Sequence, residues 1–250
     1  MAAEHIYGLH PVLEVLQAGR RRVEKIFVGA RRQRPDVKRL LDLAERYAIP
    51  LDYVAAAQLR RIVGHDQHQG VVALVAPLGY DELTDVLARL EQQSGQHTLL
   101  LLDGVTDVGN FATLTRSAVA FGAEAILLPR HHSVGLTPVV AKRSAGAIER
   151  IAVVQVGNVI QLLERLKALG FWVYGADAQA ATRVSQVQWP ERVVLVVGSE
   201  GRGIRRLMRE QCDDLVRIPM RSGIDSVNVA VAGSILLAAI WAQHESEMTE

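Results

Sequence analysis

The chain has 250 residues, is 49% hydrophobic and 22% charged, and carries 20 Gly and 8 Pro, an ordinary globular composition that excludes disordered, collagenous and low-complexity classes. Its formal net charge of +1 does not by itself point to a polyanion partner. The single cysteine, Cys212, excludes an internal disulfide and a zinc cage built on several cysteines, and it fits a reducing compartment.

The start, MAAEHIYGLHPVLEVL, lacks the basic and then apolar stretches of a secretory signal, so cytoplasmic localisation is expected. Residues 1–76 read as a small α/β module: helix HPVLEVLQAG, strand VEKIFVG, helix DVKRLLDLAERYA, strand LDYV, helix AAQLRRIVG and strand GVVALV. In the second helix Val37, Leu40, Leu41 and Ala44 recur at helical spacing, and Asp36 suits the first turn. Residues 1–75 hold 12 Lys and Arg against 8 Asp and Glu. Arg20, Arg21, Arg22, Lys25, Arg31, Arg32, Arg34, Lys38 and Arg39 there face only Glu24 and Asp36. An isolated charge run of this kind is more often a solvated surface, but these clusters flank a strand, where one face grips phosphates.

Pro77 and Gly79 break the pattern, and residues 77–97 are expected to be a linker ending in a polar stretch around Ser94 and Gly95. Residues 98–250 then alternate strictly. Strands TLLLLD, AEAILLP, IAVVQV, FWVYGAD, RVVLVVG and DLVRIPM are continuous apolar runs, as in a parallel sheet covered on both faces. Helices NFATLTRSAVAFG, PVVAKRSAGAIE, VIQLLERLKALG, IRRLMREQC and SVNVAVAGSILLAAIWAQ connect or follow them. The last, apolar around its whole circumference, reads as buried rather than membrane-spanning, because it is short for a span and contains Asn228, Gly233 and Ser234.

Ligands of open α/β sheets bind beyond the carboxyl ends of the strands, which directs attention to three loops. They are residues 104–110, leading to Arg116; residues 198–203, GSEGRG; and residues 221–228, RSGIDSVN. The glycines of GSEGRG alone are a weak signal, since tight turns use them without any ligand. Their spacing and late position do not match a dinucleotide fingerprint, and there is no P-loop string.

Together, DGVTDVGNFATLTRSA, VVGSEGRGI and IPMRSGIDSVNVAVA resemble, in order, the three motifs of the SpoU (TrmH-type) RNA 2′-O-ribose methyltransferases. IYGLHPVLEVL and HDQHQGVVALV resemble the two ends of the small ribosomal-protein-like substrate-binding domain of the RlmB-like branch, which methylates a guanosine of 23S ribosomal RNA. The resemblance implies an α/β fold with a deep trefoil knot in the methyltransferase domain, S-adenosylmethionine (AdoMet) as cofactor, RNA as substrate and a homodimer. It places Asn110, Arg116, Glu200, Ser226 and Asn228 in the catalytic motifs. Gly198, Ile218 and Val227 would line the AdoMet site, with Met220, Ala230, Glu200 and Asn228 beside them, and Arg20, Arg21, Arg22, Arg31 and Arg32 would bind RNA. Ala112 departs from the Gly of many relatives.

The family gives Arg116 the role of removing the 2′-hydroxyl proton with help from an RNA phosphate. A guanidinium is normally always protonated, so its firmer role is to orient a phosphate and stabilise developing alkoxide charge. Glu200 is either a helix-start carboxylate or a residue holding Asn110 or Arg116. Ser226 and Asn228 suit either a helix cap or a site, with the site favoured because an Asn in so apolar a segment needs a partner. Asp103 and Asp107 read as turn residues, and Cys212 as inert. His65 and His68 lack a third ligand, so no metal is expected. The alternatives are a tRNA ribose methyltransferase, an antibiotic-resistance rRNA methyltransferase, and a non-catalytic RNA-binding or ribosome-assembly factor, which would have no chemical need for these five residues together.

Overall fold

The computed structural model describes residues 3–29, 35–221 and 226–249. In chain order the first elements are β1 (Glu4–Tyr7), α1 (Leu9–Ala18), β2 (Val23–Val28), α2 (Pro35–Arg46), β3 (Leu51–Tyr53), α3 (Ala56–Val63) and β4 (Val71–Val75). They are followed by α4 (Leu83–Gln92), β5 (His97–Asp103), α5 (Val108–Ala120), β6 (Ala125–Pro129), α6 (Pro138–Arg143), β7 (Ala152–Val156), α7 (Val159–Ala168) and β8 (Trp172–Ala176). The last are β9 (Thr182–Arg183), β10 (Arg192–Gly198), α8 (Arg206–Arg209), β11 (Asp214–Arg217) and α9 (Val229–Thr249). Contacts divide the chain into one unit of Met1–Gly79 with Leu136–Arg150 and a second of Tyr80–Gly135 with Ile151–Glu250.

The first unit is a four-stranded sheet in the order β1-β4-β2-β3, with β4 antiparallel to both neighbours and β3 parallel to β2. Ile6, Val12, Leu16, Ile26, Leu40, Leu59 and Val72 are buried within it. The sequence pattern does not reveal β1, because in EHIY only Ile6 is fully buried and four residues are too few for an alternation to register.

Residues 136–150 join this unit, whereas the sequence placed residues 138–149 as one helix of the methyltransferase domain. Ala145 and Gly146 turn to positive φ (53° and 88°) after α6, and a 3-10 turn, Ala147–Arg150, completes the segment. Its Glu149 pairs with Arg21, and its Ile148 carbonyl accepts from Arg20 Nη1 at 3.2 Å.

Every pairing in the second unit's seven-stranded sheet is parallel, in the order β7-β6-β5-β10-β8-β11-β9. Central β5 has all seven residues buried, which is why its sequence reads as an unbroken apolar run. The stretch expected to be a linker, residues 77–97, is mostly part of this unit. Val86, Leu87 and Leu90 of α4 lie in one core cluster with Leu99, Leu127, Val154 and Leu163, and Asp81 pairs with Val153 of β7 through both its backbone and its carboxylate. The polar residues around Ser94 and Gly95 are only the turn into β5. The expected helix IRRLMREQC contracts to the four-residue α8. No helix among the described residues is long and apolar enough to cross a membrane.

Candidate active site

Because all strands of the second sheet run the same way, their carboxyl ends share one edge, and the loops found in the sequence meet there. A cavity of about 510 Å³ opens at this edge. Its wall comes from the residues after β8, the loop after β10, and the two ends of the β11–α9 connection. Gly198, Glu200, Ile218, Met220, Ser226, Val227 and Asn228 all lie on this wall. Ala230 does not: it is buried, and its backbone N–H caps onto Asn228 instead. Residues 222–225 of the third loop lie outside the described residues.

The glycines of GSEGRG have a structural cause. Ser199 and Gly203 exchange two backbone hydrogen bonds, at 3.0 and 2.9 Å, closing the loop upon itself. A Cβ on Gly198 would collide with the Gly203 carbonyl, so only glycine permits that approach. Glu200 is lifted into solvent on this loop, several residues before α8, and is therefore not a helix-start carboxylate.

Asp103, expected to be a turn residue, fixes the loop's far end. Its fully buried carboxylate accepts Arg205 N at 2.9 Å and Arg205 Nε at 2.7 Å. That hydrogen bonding raises the Arg205 pKa above its ordinary value. The sequence did carry a signal: a carboxylate ending so apolar a strand needs a cationic partner.

Asp107 caps α5, accepting Asn110 N at 2.7 Å, and so sets Asn110 at the cavity edge. Asn228 Oδ1 accepts the N–H groups of Ala230 (2.9 Å) and Val231 (3.4 Å) at the start of α9. Its Nδ2 must then point outward, and it donates to Asn110 Oδ1 at 3.0 Å. Asn110 Nδ2 is thereby turned to Glu200 Oε2, at 3.3 Å. Two backbone donors thus fix the orientation of both amides, and Glu200 holds Asn110, one of the two partners expected for it.

Arg116 stands apart from this chain of bonds. It is exposed, lies off the cavity wall, and makes no hydrogen bond or ion pair among the described residues. Six residues beyond Asn110 on α5, it is about 9 Å further along the axis and on a different face. Ala112 is buried at 1% exposure, so the packing of α5 holds the extra methyl group.

Sequence reasoning missed Asp177 and Arg209, an ion pair on the cavity wall, although the strand-end rule applied equally to the residues after β8. Asp177 Oδ1 also accepts Gln179 N at 2.8 Å. Cys212 is inert as expected: burial pushes its pKa up to about 12, and its thiol donates to the Met208 carbonyl. No group of three or more His, Cys, Asp or Glu among the described residues is arranged to hold a metal ion.

The proposed basic face of the first unit changes most. Arg21 is not a surface residue: its side chain is 3% exposed and pairs with Glu149 and, at 3.5 Å, with Glu4. Arg20 is half-buried and bonded to the Ile148 carbonyl. Arg22 remains exposed, while Arg31 and Arg32 lie outside the described residues.

A parallel α/β sheet with a cavity at its strand ends, preceded by a smaller α/β unit, defines a class of two-part ligand-binding enzymes, and comparison with known proteins narrows it. The SpoU rRNA Methylase family model matches residues 97–238, and the model for RNA 2′-O ribose methyltransferase substrate binding matches residues 5–81. The chain is 39% identical over 237 residues to the 23S rRNA (guanosine-2′-O-)-methyltransferase RlmB of Pseudomonas putida, covering 94% of each chain. It is 34% identical over 241 residues to the protein of the same name from Coxiella burnetii, covering 96% of each. Its fold is similar to that of the SpoU methyltransferase AviRb from Streptomyces viridochromogenes, solved in complex with AdoMet, with a TM-score of 0.79, 23% identity, and coverage of 98% of this chain and 92% of that one. The chain belongs to the SpoU rRNA methylase family.

Proposed function

We propose that this protein transfers the methyl group of AdoMet to the 2′-hydroxyl of a ribose in 23S ribosomal RNA, with guanosine as the nucleoside. The observation that carries the reading is the bonded chain Glu200–Asn110–Asn228 at the edge of the strand-end cavity. The names of the two relatives support the substrate.

The cavity suits the cofactor. Its size falls within the roughly 300–1,000 Å³ of small-molecule sites. Val197, Ile218, Val227 and Leu236 offer an apolar wall for a purine, and Asp177, Glu200 and Arg209 offer charges for an amino-acid zwitterion. When bound there, AdoMet supplies an electrophilic methyl carbon on a sulfonium.

The chain's own residues do the remaining work. Asn110, locked by Asn228 and Glu200, presents a fixed amide to the incoming ribose, and such positioning lowers the barrier of an in-line displacement. Arg116, with no partner among the described residues to hold it, orients an RNA phosphate and stabilises negative charge developing on the 2′-oxygen. Ser226, exposed on the cavity wall, adds a hydroxyl to the substrate side.

The working form in this reading is a homodimer. Val231 and Ile235, 46% and 40% exposed, share a face of α9, which is apolar around its circumference, and a second copy of the chain covers that face. The trefoil knot also belongs to the proposal: the β11–α9 connection and the loop after β10 line one cavity, consistent with the chain's end passing through a loop.

The test is incubation of purified protein with AdoMet carrying a labelled methyl group and either large-subunit ribosomal RNA or tRNA, followed by nucleoside analysis. Label in a 2′-O-methylguanosine of the ribosomal RNA is expected. Label confined to tRNA would overturn the substrate assignment, and bound AdoMet with no transfer to any RNA would overturn the activity.

A further inference from the structure

Lys142 of α6 lies beyond residues 5–81, which match the substrate-binding model, yet it belongs to the same structural unit. Its Nζ is 5.5 Å from the centroid of the Tyr7 ring and 3.5 Å from Gln69 Oε1. Both neighbours are themselves held. The Tyr7 ring meets His65 edge-on, with centroids 4.5 Å apart. Gln69 sits at a positive φ of 55°, and its Oε1 also accepts Leu9 N at 3.1 Å.

The ammonium also lies against the backbone of Gly8. Gly8 has φ 96°, and a Cβ there would collide with Lys142 Nζ. Residues 7–9, 65–69 and 142 thus converge on one cation. No carboxylate pairs with it among the described residues, whereas buried Arg21 has Glu149 and half-buried Lys25 has Asp52. Burial lowers the Lys142 pKa, so the ammonium has given up water without gaining an anion. A ring face and one long amide contact leave N–H donors free for a small anionic group.

We propose that Lys142 is a phosphate-binding residue for the RNA strand, presented by Tyr7 and Gln69 and supplied to the substrate-binding unit by the segment after β6. The ligand is a single backbone phosphodiester, since the Tyr7 ring is already engaged by Lys142 and His65 and offers no stacking platform for a base. This rests on the RNA-methyltransferase reading above.

The experiment measures binding of a large-subunit ribosomal RNA fragment to the full chain between 50 and 300 mM KCl (about 0.05–0.3 M, where counterion release dominates the salt dependence). The variants are Lys142→Met, Lys142→Arg and Gln69→Glu, with AdoMet affinity and melting temperature recorded for each. Lys142→Met should weaken RNA binding about 5- to 10-fold and flatten the slope of log K against log salt by about 0.7–0.9, the share of one phosphate. Lys142→Arg should keep both. Gln69→Glu sets a carboxylate beside the ammonium and should mimic the loss in RNA binding without lowering the melting temperature, an effect that a merely structural tether would not produce.

Unchanged slopes in Lys142→Met and Gln69→Glu, with wild-type methyl transfer to RNA intact, would overturn the proposal alone. A wild type that transfers no methyl to RNA would overturn the underlying reading as well.

Discussion

Two polar networks, one in each unit, are built on opposite terms. In the first unit Arg21, Glu149 and Glu4 turn their charges on one another, with side-chain exposures of 3% for Arg21 and 0% for Glu149. In the second, Glu200, Asn110 and Asn228 are joined at the surface by neutral amides anchored on backbone donors. The buried network uses its charges on itself and has nothing left for a ligand. The exposed one costs little to solvate, and it leaves a carboxylate oxygen and a nearby helix face facing solvent. An arginine enclosed together with its carboxylate, as Arg21 is with Glu149, is therefore not a candidate ligand-binder.

The largest effect should come from breaking the buried network. Arg21→Met leaves Glu149 in the interior without its cation, a change that typically costs about 3–5 kcal/mol. Burial already pushes the Glu149 carboxyl above the usual carboxylate range, against the opposing pull of Arg21. Without Arg21 it rises further. A carboxyl whose pKa is raised in the folded state stabilises below its unfolded pKa and loses that contribution as pH rises through the folded value. The stability deficit of Arg21→Met should therefore shrink as pH falls from 7.5 to 5, read as converging urea midpoints. Adding Glu149→Leu should restore most of the stability at neutral pH, because an apolar pair replaces a pair that leaves Arg21 Nε and Glu149 Oε2 buried without partners among the described residues. A full-strength deficit at pH 5, or no rescue by the double variant, would show that the pair does not behave as a buried ion pair.

A catalytic rather than a structural loss is expected from Arg116, the exposed cation further along α5 from the second network. Arg116→Ala should keep the fold and the AdoMet affinity, since the residue has no bond to lose among the described residues and lies off the cavity wall. Single-turnover methyl transfer should fall about 10²-fold or more, the scale of losing one preorganised charge-stabilising group. Arg116→Lys should recover little, because a point charge does not reproduce the planar fork that spans a phosphate and a 2′-oxygen. A near-wild-type rate in folded Arg116→Ala would make it a surface arginine and leave the charge on the 2′-oxygen without this stabiliser.

The sequence made the second unit legible and the first only partly so, for physical reasons. Parallel strands buried on both faces, such as β5 and β10, leave short continuous apolar runs rich in Leu and Val. The three motif loops were legible because they are anchored to the ends of those runs. What periodicity hides is long-range pairing. Nothing local in RRR at residues 20–22 tells that the middle arginine finds Glu149, 128 positions away. Nor does the helical look of residues 138–149 reveal that the segment packs with α1 and β1 of the first unit. Asp103 is the intermediate case: it reads as a turn residue although it ends an apolar strand, and its partner on the neighbouring loop is set only by the fold.

The smallest expected effect separates the two jobs of Asn228. As the cap of α9 its Oδ1 accepts from Ala230 and Val231, and as a site residue its Nδ2 orients Asn110. Asn228→Ala loses both and should cost about 1 kcal/mol of stability, the usual loss for a removed cap. Asn228→Asp keeps an oxygen for the cap, and a carboxylate at a helix start is favoured by the dipole, so its stability should stay near wild type. It has no N–H for Asn110 Oδ1, however, and it sets two oxygens against each other, so the Asn110 amide flips or swings away from Glu200. Asn228→Asp should therefore transfer methyl groups as poorly as Asn228→Ala while melting like the wild type. Parallel loss of rate and melting temperature across the two variants would mean that Asn228 acts only through the start of α9, and that the bonded chain from Glu200 to Asn228 is packing rather than part of the site.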